Sequence, residues 1–199
     1  MTRPRSLGAT LVETLIVTAV GAALLGSALP NLLDATARLR VRAAAEEIRG
    51  TFRLAQSFAI RYDAHVGVKF RELPDGRVTF ALYRDGDGDG VLTSDIDRGV
   101  DLELQPPHVM QHLGRSAGFG FPPGSTPRDP SDPRSYLTGL DDPIRFNGSN
   151  IASFSELGTS TPGSIYLSDR KSILAAVRVL SRTGKTAIVF YDAATERWQ

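Results

Sequence analysis

The chain has 199 residues, enough for one globular domain with an appendage and too few for two full domains. Hydrophobic residues at 41% and charged residues at 23% exclude wholesale disorder and a polytopic membrane protein. The 23 Lys and Arg against 22 Asp and Glu leave a net charge of +1, so no global field draws nucleic acid or an anionic surface. The absence of cysteine removes disulfides, thiolate metal sites and cysteine nucleophiles.

The apolar residues are concentrated near the N-terminus. From Thr14 to Leu33 the run TLIVTAVGAALLGSALPNLL carries no charge over 20 residues, which as a helix spans about 30 Å, the thickness of a bilayer core. Arg3 and Arg5 precede it with no acid before Glu13, a short positive leader of the kind that targets a membrane. Three readings compete. A cleaved signal peptide would cut near Gly26, Ser27 and Ala28, but the run exceeds a signal core and has an acid at its start. A plain anchor leaves Glu13 unexplained, because a carboxylate in lipid costs a few kcal/mol and by default marks a function with a partner. The third reading supplies that partner.

Gly8, Ala9, Thr10, Leu11, Val12, Glu13, Thr14 and Leu15 resemble the processing site of type IV prepilins and type II secretion pseudopilins. The resemblance implies cleavage after Gly8 by a prepilin peptidase on the cytoplasmic face and methylation of the new amine at Ala9. It also implies that Glu13, five residues past the cut, sets subunit register during assembly against an amino terminus. The cut would create an ammonium one helical turn before Glu13, at a helix end that already carries partial positive charge. Pro30 fits the proline that pilin helices commonly carry, where it kinks or locally melts the helix. Ala9 departs from the phenylalanine commonest in the family. Arg38, Arg40, Arg42 and Arg49 follow the run and outnumber Arg3 and Arg5, so a charge count alone would orient the segment the other way. The resemblance requires a cytoplasmic N-terminus, and Asp34, Glu46 and Glu47 dilute the arginines.

Beyond the run the helical period continues: Val41, Ala44, Ala45, Ile48, Phe52, Ala55 and Ala59 form one apolar stripe. Glu46 and Arg49 stand at i,i+3 on another face. A helix from Ala9 to about Arg61 would be on the order of 80 Å long, its second half covering a sheet. After Tyr62 the period changes to two in Ala64 to Phe70 and Arg77 to Tyr83, split by Pro74, Asp75 and Gly76, a β-hairpin signal. Further strands are expected at Leu102 to Gln105, Val109 to Leu113, Ile144 to Phe146, Ser164 to Ser168, Leu174 to Leu180 and Thr186 to Tyr191. The Pro-, Ser- and Asp-rich stretch between Phe121 and Pro143 reads as a long surface loop. The stretches Ile144 to Ser149, Pro162 to Asp169 and Val177 to Asp192, ending near Trp198, resemble the minor pseudopilins of the GspH/FimT type.

The expected fold is α+β and pilin-like: a long N-terminal helix, membrane-spanning in its first half, packed on a small antiparallel β-sheet domain. Residues 1–8 are the leader, 9–33 the transmembrane and assembly helix, 34–62 its amphipathic continuation and 63–199 the β-rich domain.

A second constellation is RDGDGDGVLTSDID, Arg84 to Asp97. Asp85, Asp87, Asp89 and Gly90 fit positions 1, 3, 5 and 6 of a calcium loop, with the Val91 carbonyl at 7 and Thr93 at 9. Position 12 falls on Ile96, so Asp95 or Asp97 would have to close the site, and no helix pattern precedes the loop. The alternative is a polar Gly/Asp turn without metal. His108 and His112 converge only on a helix, which Pro106 and Pro107 oppose. Arg178, Arg182, Lys185 and Arg197 could form a phosphate-binding stripe, as some relatives in pilus systems are thought to bind DNA. Asp169, Asp192 and Glu196 interrupt it, which argues against nucleic acid as a partner. No nucleophile elbow, phosphate loop or HExxH pair occurs, so no catalysis is expected.

The resulting expectation is a structural minor pilin or pseudopilin without a certain cofactor, calcium being the one candidate. It would reside in the bacterial inner membrane with its β-domain extracytoplasmic and then in a pilus or pseudopilus. Its partners would be other pilins through the N-terminal helix, the prepilin peptidase and the inner-membrane assembly platform.

Overall fold

The apolar stripe of the helix meets two sheets in the computed structural model, which describes residues 10–110, 117–180 and 183–199, without the side chains of residues 25 and 27–31. Helix α1 spans Leu11–Tyr62. The chain divides after Thr36 into two units, Met1–Thr36 and Ala37–Gln199. In the first, the described residues are helical from Leu11, and Thr10 Oγ1 accepts the Glu13 backbone N–H at 3.2 Å, satisfying one of the amide donors that every helix start leaves open.

In the second unit the fold is α+β, with the helix packed on antiparallel sheets. Strands β1 (Val66–Glu72) and β2 (Val78–Arg84) form the expected hairpin. Its turn is closed by Leu73 N–H donating to the Arg77 carbonyl at 2.7 Å, with Gly76 at φ 76° and the Asp75 carboxylate accepting the Arg77 N–H. Helix α2 (Thr93–Arg98) follows, then β3 (Leu102–Val109), β4 (Gly118–Phe119), β5 (Ile144–Arg145), β6 (Ile151–Phe154), β7 (Gly163–Ser168), β8 (Leu174–Leu180), β9 (Lys185–Asp192) and β10 (Arg197–Trp198). The first sheet runs β3-β2-β1-β6. The second runs β10-β9-β8-β7-β4, with β5 also paired to β7.

Val41, Ala44, Ala45, Ile48, Phe52, Ala55 and Ala59 are all fully buried, as their spacing predicts. They share one core with Val66, Val68 and Phe70 of β1, Phe154 of β6, and Ile165, Ala175 and Val177 of the second sheet. Phe52 lies at its centre, with ring centroids 6.2 Å from Phe70, 6.0 Å from Phe146 and 5.6 Å from Phe154. Glu46 and Arg49 pair on the outer side of the helix. Gln56 reaches from the helix to the β8–β9 turn, its Nε2 donating to the Gly184 carbonyl at 2.6 Å.

Several boundaries differ from expectation. The two strands expected at Leu102 to Gln105 and Val109 to Leu113 are one strand that passes through Pro106 and Pro107, with residues 111–113 outside the described part. The prolines are accommodated because β3 is an edge, where a missing N–H interrupts no second ladder. Its register with β2 slips around Leu82. The segment between Phe121 and Pro143 is a packed cover as well as a loop: Leu137 is buried with Tyr166, Leu174 and Ala176 on the outer face of the second sheet, flanked by Phe121, Leu140 and Trp198. Arg145 stitches it down, donating to the carbonyls of Thr138 at 2.6 Å and Gly139 at 2.7 Å.

Because Phe52 is fully enclosed between elements that cannot all collapse inward, Phe52→Ala is expected to cost about 3–5 kcal/mol. Denaturant unfolding of the purified chain checks this, and a midpoint unchanged from wild type would contradict the central place of that ring.

Candidate functional site

The aspartate loop leaves the end of β2 and returns at the start of β3, so both of its ends are anchored in the first sheet. Asp85 is 6% exposed and organises the turn. Its Oδ1 accepts the N–H groups of Asp87 at 3.1 Å and Gly88 at 2.7 Å, and its Oδ2 accepts that of Gly90 at 2.8 Å. Gly88 and Gly90 take φ of 90° and 97°, conformations that side chains with a Cβ rarely adopt. Asp101, also buried, closes the other end by accepting the N–H groups of Gly86 at 3.2 Å and Leu92 at 3.0 Å. A Cβ at residue 86 would stand 2.0 Å from the Val100 carbonyl oxygen, so the closure requires glycine there.

Carboxylate oxygens of Asp85, Asp87 and Asp89 lie within 4.8 Å of one another, so the one-three-five spacing does bring these three side chains together. Burial pushes the Asp85 carboxyl up, but the N–H groups of Gly88, Gly90 and Asp87 together outweigh it and hold the group below the ordinary range. Asp89 lies above the ordinary range through desolvation and then the repulsion of Asp87. Asp101 is raised as well, by burial first and by the charges of Asp85 and Asp95. The arrangement concentrates negative charge on a short stretch of backbone.

The remaining sequence candidates divide. The Val91 side chain is buried beneath the loop, where Gly67 on β1 leaves room for it: a Cβ at residue 67 would stand 2.8 Å from Val91 Cγ1 and 2.9 Å from Ile151 Cγ2. Thr93 Oγ1 accepts a hydrogen bond from Lys69 Nζ at 2.9 Å, and the same ammonium donates to the Ser149 carbonyl at 2.8 Å. Burial, then the charge of Arg71, holds Lys69 below the usual amine range. Asp95 is 1% exposed and lies in the first turn of α2, where Arg98 pairs with its Oδ1. Asp97 is exposed and pairs with Arg71 at 3.3 Å instead. The sequence reading missed Asp101 and α2 itself. The available signal for α2 was the carboxylate of Asp95 in its first turn, Arg98 in its last turn and Gly99 beyond, which caps it at φ 75°.

In the N-terminal unit, Gly8 and Ala9 lie outside the described residues. Glu13 is exposed in the first turn of α1. The backbone is helical through residue 30, and the side chain of Pro30 lies outside the described residues. Leu11, Val12, Leu15, Ile16, Val17 and Val20 are each more than half exposed. Among the described residues no helix is long and apolar enough to cross a membrane.

The basic residues do not converge. Arg178 donates to the Pro130 carbonyl and to Ser131 Oγ, each at 2.8 Å, and so serves the outer cover. Arg178 stands opposite Ala187 and Lys185 opposite Leu180, whereas Arg197 stands opposite Asp192. Strand alternation therefore places Arg178 and Lys185 on one face of the sheet and Arg197 on the other. Arg182 lies outside the described residues. His108 sits on β3 against Phe80, ring centroids 4.2 Å apart, and His112 lies outside the described part.

No family model matches the chain, and neither curated proteins nor solved structures give a significant match.

The rise of the Asp89 carboxyl, through desolvation first and the charge of Asp87 second, has a consequence of definite sign. The folded-state carboxyl titrates above the unfolded value of about 3.9, so ionising it costs stability above the raised value and nothing below the unfolded one. In calcium-free buffer containing a chelator, Asp89→Asn is expected to melt at a higher temperature than wild type at pH 7. That advantage should fade as the pH falls below about 4. Thermal melting at the two pH values checks this, and a variant less stable at pH 7 would contradict it.

Proposed function

We propose that the chain is a structural subunit of a pilus-like fibre: a prepilin cut after Gly8, held by its apolar helix in the inner membrane, and then assembled through that helix into a pseudopilus or pilus. The observation that carries the reading is the contrast along the chain between two parts of α1. From Val41 to Ala59 the apolar positions form a single stripe that is consumed by the sheets. From Leu11 to Val20 the apolar side chains spread around most of the helix axis and are exposed. Each such side chain is worth about 1.5–3 kcal/mol on full burial, and a helix apolar on all sides is one that is enclosed. Lipid encloses it before assembly and the helices of neighbouring subunits enclose it afterwards.

The charge-free run Thr14 to Leu33 supports the membrane step, since its 20 residues suffice for a hydrocarbon core. Glu13 stands at the start of this run, one turn from the amine that cleavage would free at Ala9. An ammonium there, on the same or a neighbouring chain, would offset the cost of carrying a carboxylate into lipid. In this reading Glu13 sets the register at which a new subunit enters the fibre, and the β-rich domain is presented outward. The chain performs no reaction of its own.

Intact mass of the membrane-extracted chain, expressed with and without a prepilin peptidase, tests the processing step. Loss of Met1 to Gly8 only when the peptidase is present, with or without one added methyl group, is the expected outcome. An uncut chain, or a cut near Ala28, would overturn it. For the register role, Glu13→Ala is expected to be processed like wild type yet to be recovered in sheared fibres at roughly a tenth of the wild-type level or less, an effect of about 1.4 kcal/mol or more on incorporation. Undiminished incorporation would remove Glu13 from assembly.

A further inference from the structure

We propose that a cleft between the outer cover and the β9–β10 turn binds the carboxylate side chains of an acidic peptide segment on a partner protein. The proposal does not rest on the fibre reading, because every residue in it belongs to the unit that begins at Ala37.

Arg197, on the opposite face of the sheet from Arg178 and Lys185, has other company. With Arg128, Pro133, Arg134, Thr195 and Glu196 it lines a cavity of about 560 Å³. One arginine of this set is already engaged. Arg128 Nε and Nη2 donate to Glu196 Oε2 at 3.0 and 2.5 Å, and the guanidinium stands 4.2 Å from the centroid of the Tyr136 ring. The Tyr136 hydroxyl donates to the same Glu196 oxygen at 3.4 Å, and the Arg128 carbonyl accepts Trp198 Nε1–H at 2.7 Å. Glu196 holds this pose at φ 51°, a conformation that costs a residue with a Cβ energy and persists where its surroundings impose it. One wall of the cleft is therefore a preset guanidinium–carboxylate pair.

The other two arginines are uncompensated. Arg134 and Arg197 are exposed, and among the described residues neither side chain has an ion pair or a hydrogen-bond partner. The acids nearby are occupied by their own turns. Asp132 accepts the Arg134 backbone N–H at 3.1 Å, and Asp192 accepts the Ala194 N–H at 3.0 Å and the Thr195 hydroxyl at 2.9 Å. Three arginines against one glutamate thus leave the lining with an excess of positive charge.

The lining also selects the ligand. Guanidinium forks match carboxylates and phosphates in two-point contact. A phosphate monoester concentrates its charge on one centre, which would stand in the same cleft as the Glu196 carboxylate and be repelled by it. Two separate carboxylates can each take one free arginine without that cost. Grooves for single-stranded nucleic acid add aromatic stacking platforms, and none of the side chains lining this cleft is aromatic. Pockets for small molecules are enclosed and mainly apolar, whereas Arg134, Thr195, Glu196 and Arg197 are all exposed. An open, charged cleft suits side chains projecting from a peptide segment, and arginine is a residue that protein interfaces favour.

The test uses the full-length chain in non-ionic detergent with fluorescein-labelled hexaglutamate, read by fluorescence anisotropy. Saturable binding is expected at about 20 mM NaCl with a Kd on the order of 0.1–1 mM, weakened about threefold or more at about 200 mM NaCl, because the contacts are exposed charges. Arg134→Glu and Arg197→Glu should each weaken binding about tenfold or more. Arg53→Glu, an equal change in net charge on the exposed side of α1, should change Kd less than about twofold. Absence of binding up to about 10 mM peptide, or an equal loss in Arg53→Glu, would overturn the site. Tighter binding of labelled hexathymidylate than of hexaglutamate, or tighter binding of inorganic phosphate in competition, would overturn carboxylate as its ligand. Should a charge reversal fail to fold, Arg134→Gln or Arg197→Gln takes its place, with loss of binding supporting the site and unchanged binding refuting it.

Discussion

The second unit depends on one stripe of side chains that belongs to two sheets at once. Val41, Ile48 and Phe52 are in the helix, yet they share a single core with β1 and β6 of one sheet and with β7 and β8 of the other. The two sheets share no strand, so they become one core through side chains alone, those of the helix stripe and a direct contact of Phe70 on β1 with Phe119 on β4, ring centroids 6.3 Å apart. Phe52 shows this most directly, because its ring faces Phe70 and Phe154 of the first sheet and Phe146, the residue after β5, beside the second. The alanines at 44, 45, 55 and 59 matter for the opposite reason: small side chains let helix and sheets approach closely where a bulky one would hold them apart.

The second sheet is buried on both faces, and this explains the fate of the proline-rich segment. Its inner face carries Ala175, Val177 and Val179 toward the helix, and its outer face carries Leu174, Ala176 and Tyr166 beneath the cover. The cover has little regular structure with which to satisfy its backbone, so side chains do that work. Arg145 serves the carbonyls of Thr138, Gly139 and Asp142, while Trp198 Nε1 donates to the Arg128 carbonyl at 2.7 Å. Gly163 belongs to the same solution, since a Cβ there would stand 2.2 Å from Phe146 Cδ1. The arginine at 178, which in sequence resembles part of a phosphate-binding stripe, is spent in this way on Pro130 and Ser131.

The aspartate loop is held by the same logic at a different place. Its acids are of two kinds. Asp85 and Asp101 are buried and accept backbone N–H groups at both oxygens, so they define the shape of the loop. Asp87 and Asp89 are exposed and gathered by that shape. Because Val91 seats the loop against Gly67, and Lys69 ties Thr93 to the Ser149 carbonyl, the position of the cluster is set by the sheet beneath it.

Periodicity and local spacing determined much of this protein. The stripe from Val41 to Ala59, the hairpin around Asp75 and Gly76, the strands β7 to β9 and the convergence of Asp85, Asp87 and Asp89 are all written at separations of a few residues, where backbone geometry alone fixes which side chains meet. The charge-free run after Glu13 is likewise a property of the chain itself. Tertiary structure decided what depends on distant partners. Strand β6 is only Ile151–Phe154, too short to announce itself, and exists because β1 offers it an open ladder. Strand β10 exists because β9 does the same. That Asp95 is buried while Asp97 turns to Arg71 of β1 follows from how elements distant in sequence are packed, and that Arg178 and Arg197 lie on opposite faces follows from the register of β8, β9 and β10. A helical stripe announces its own burial through its period, whereas the burial of a single acid such as Asp95 is a property of the assembled core that no local pattern carries.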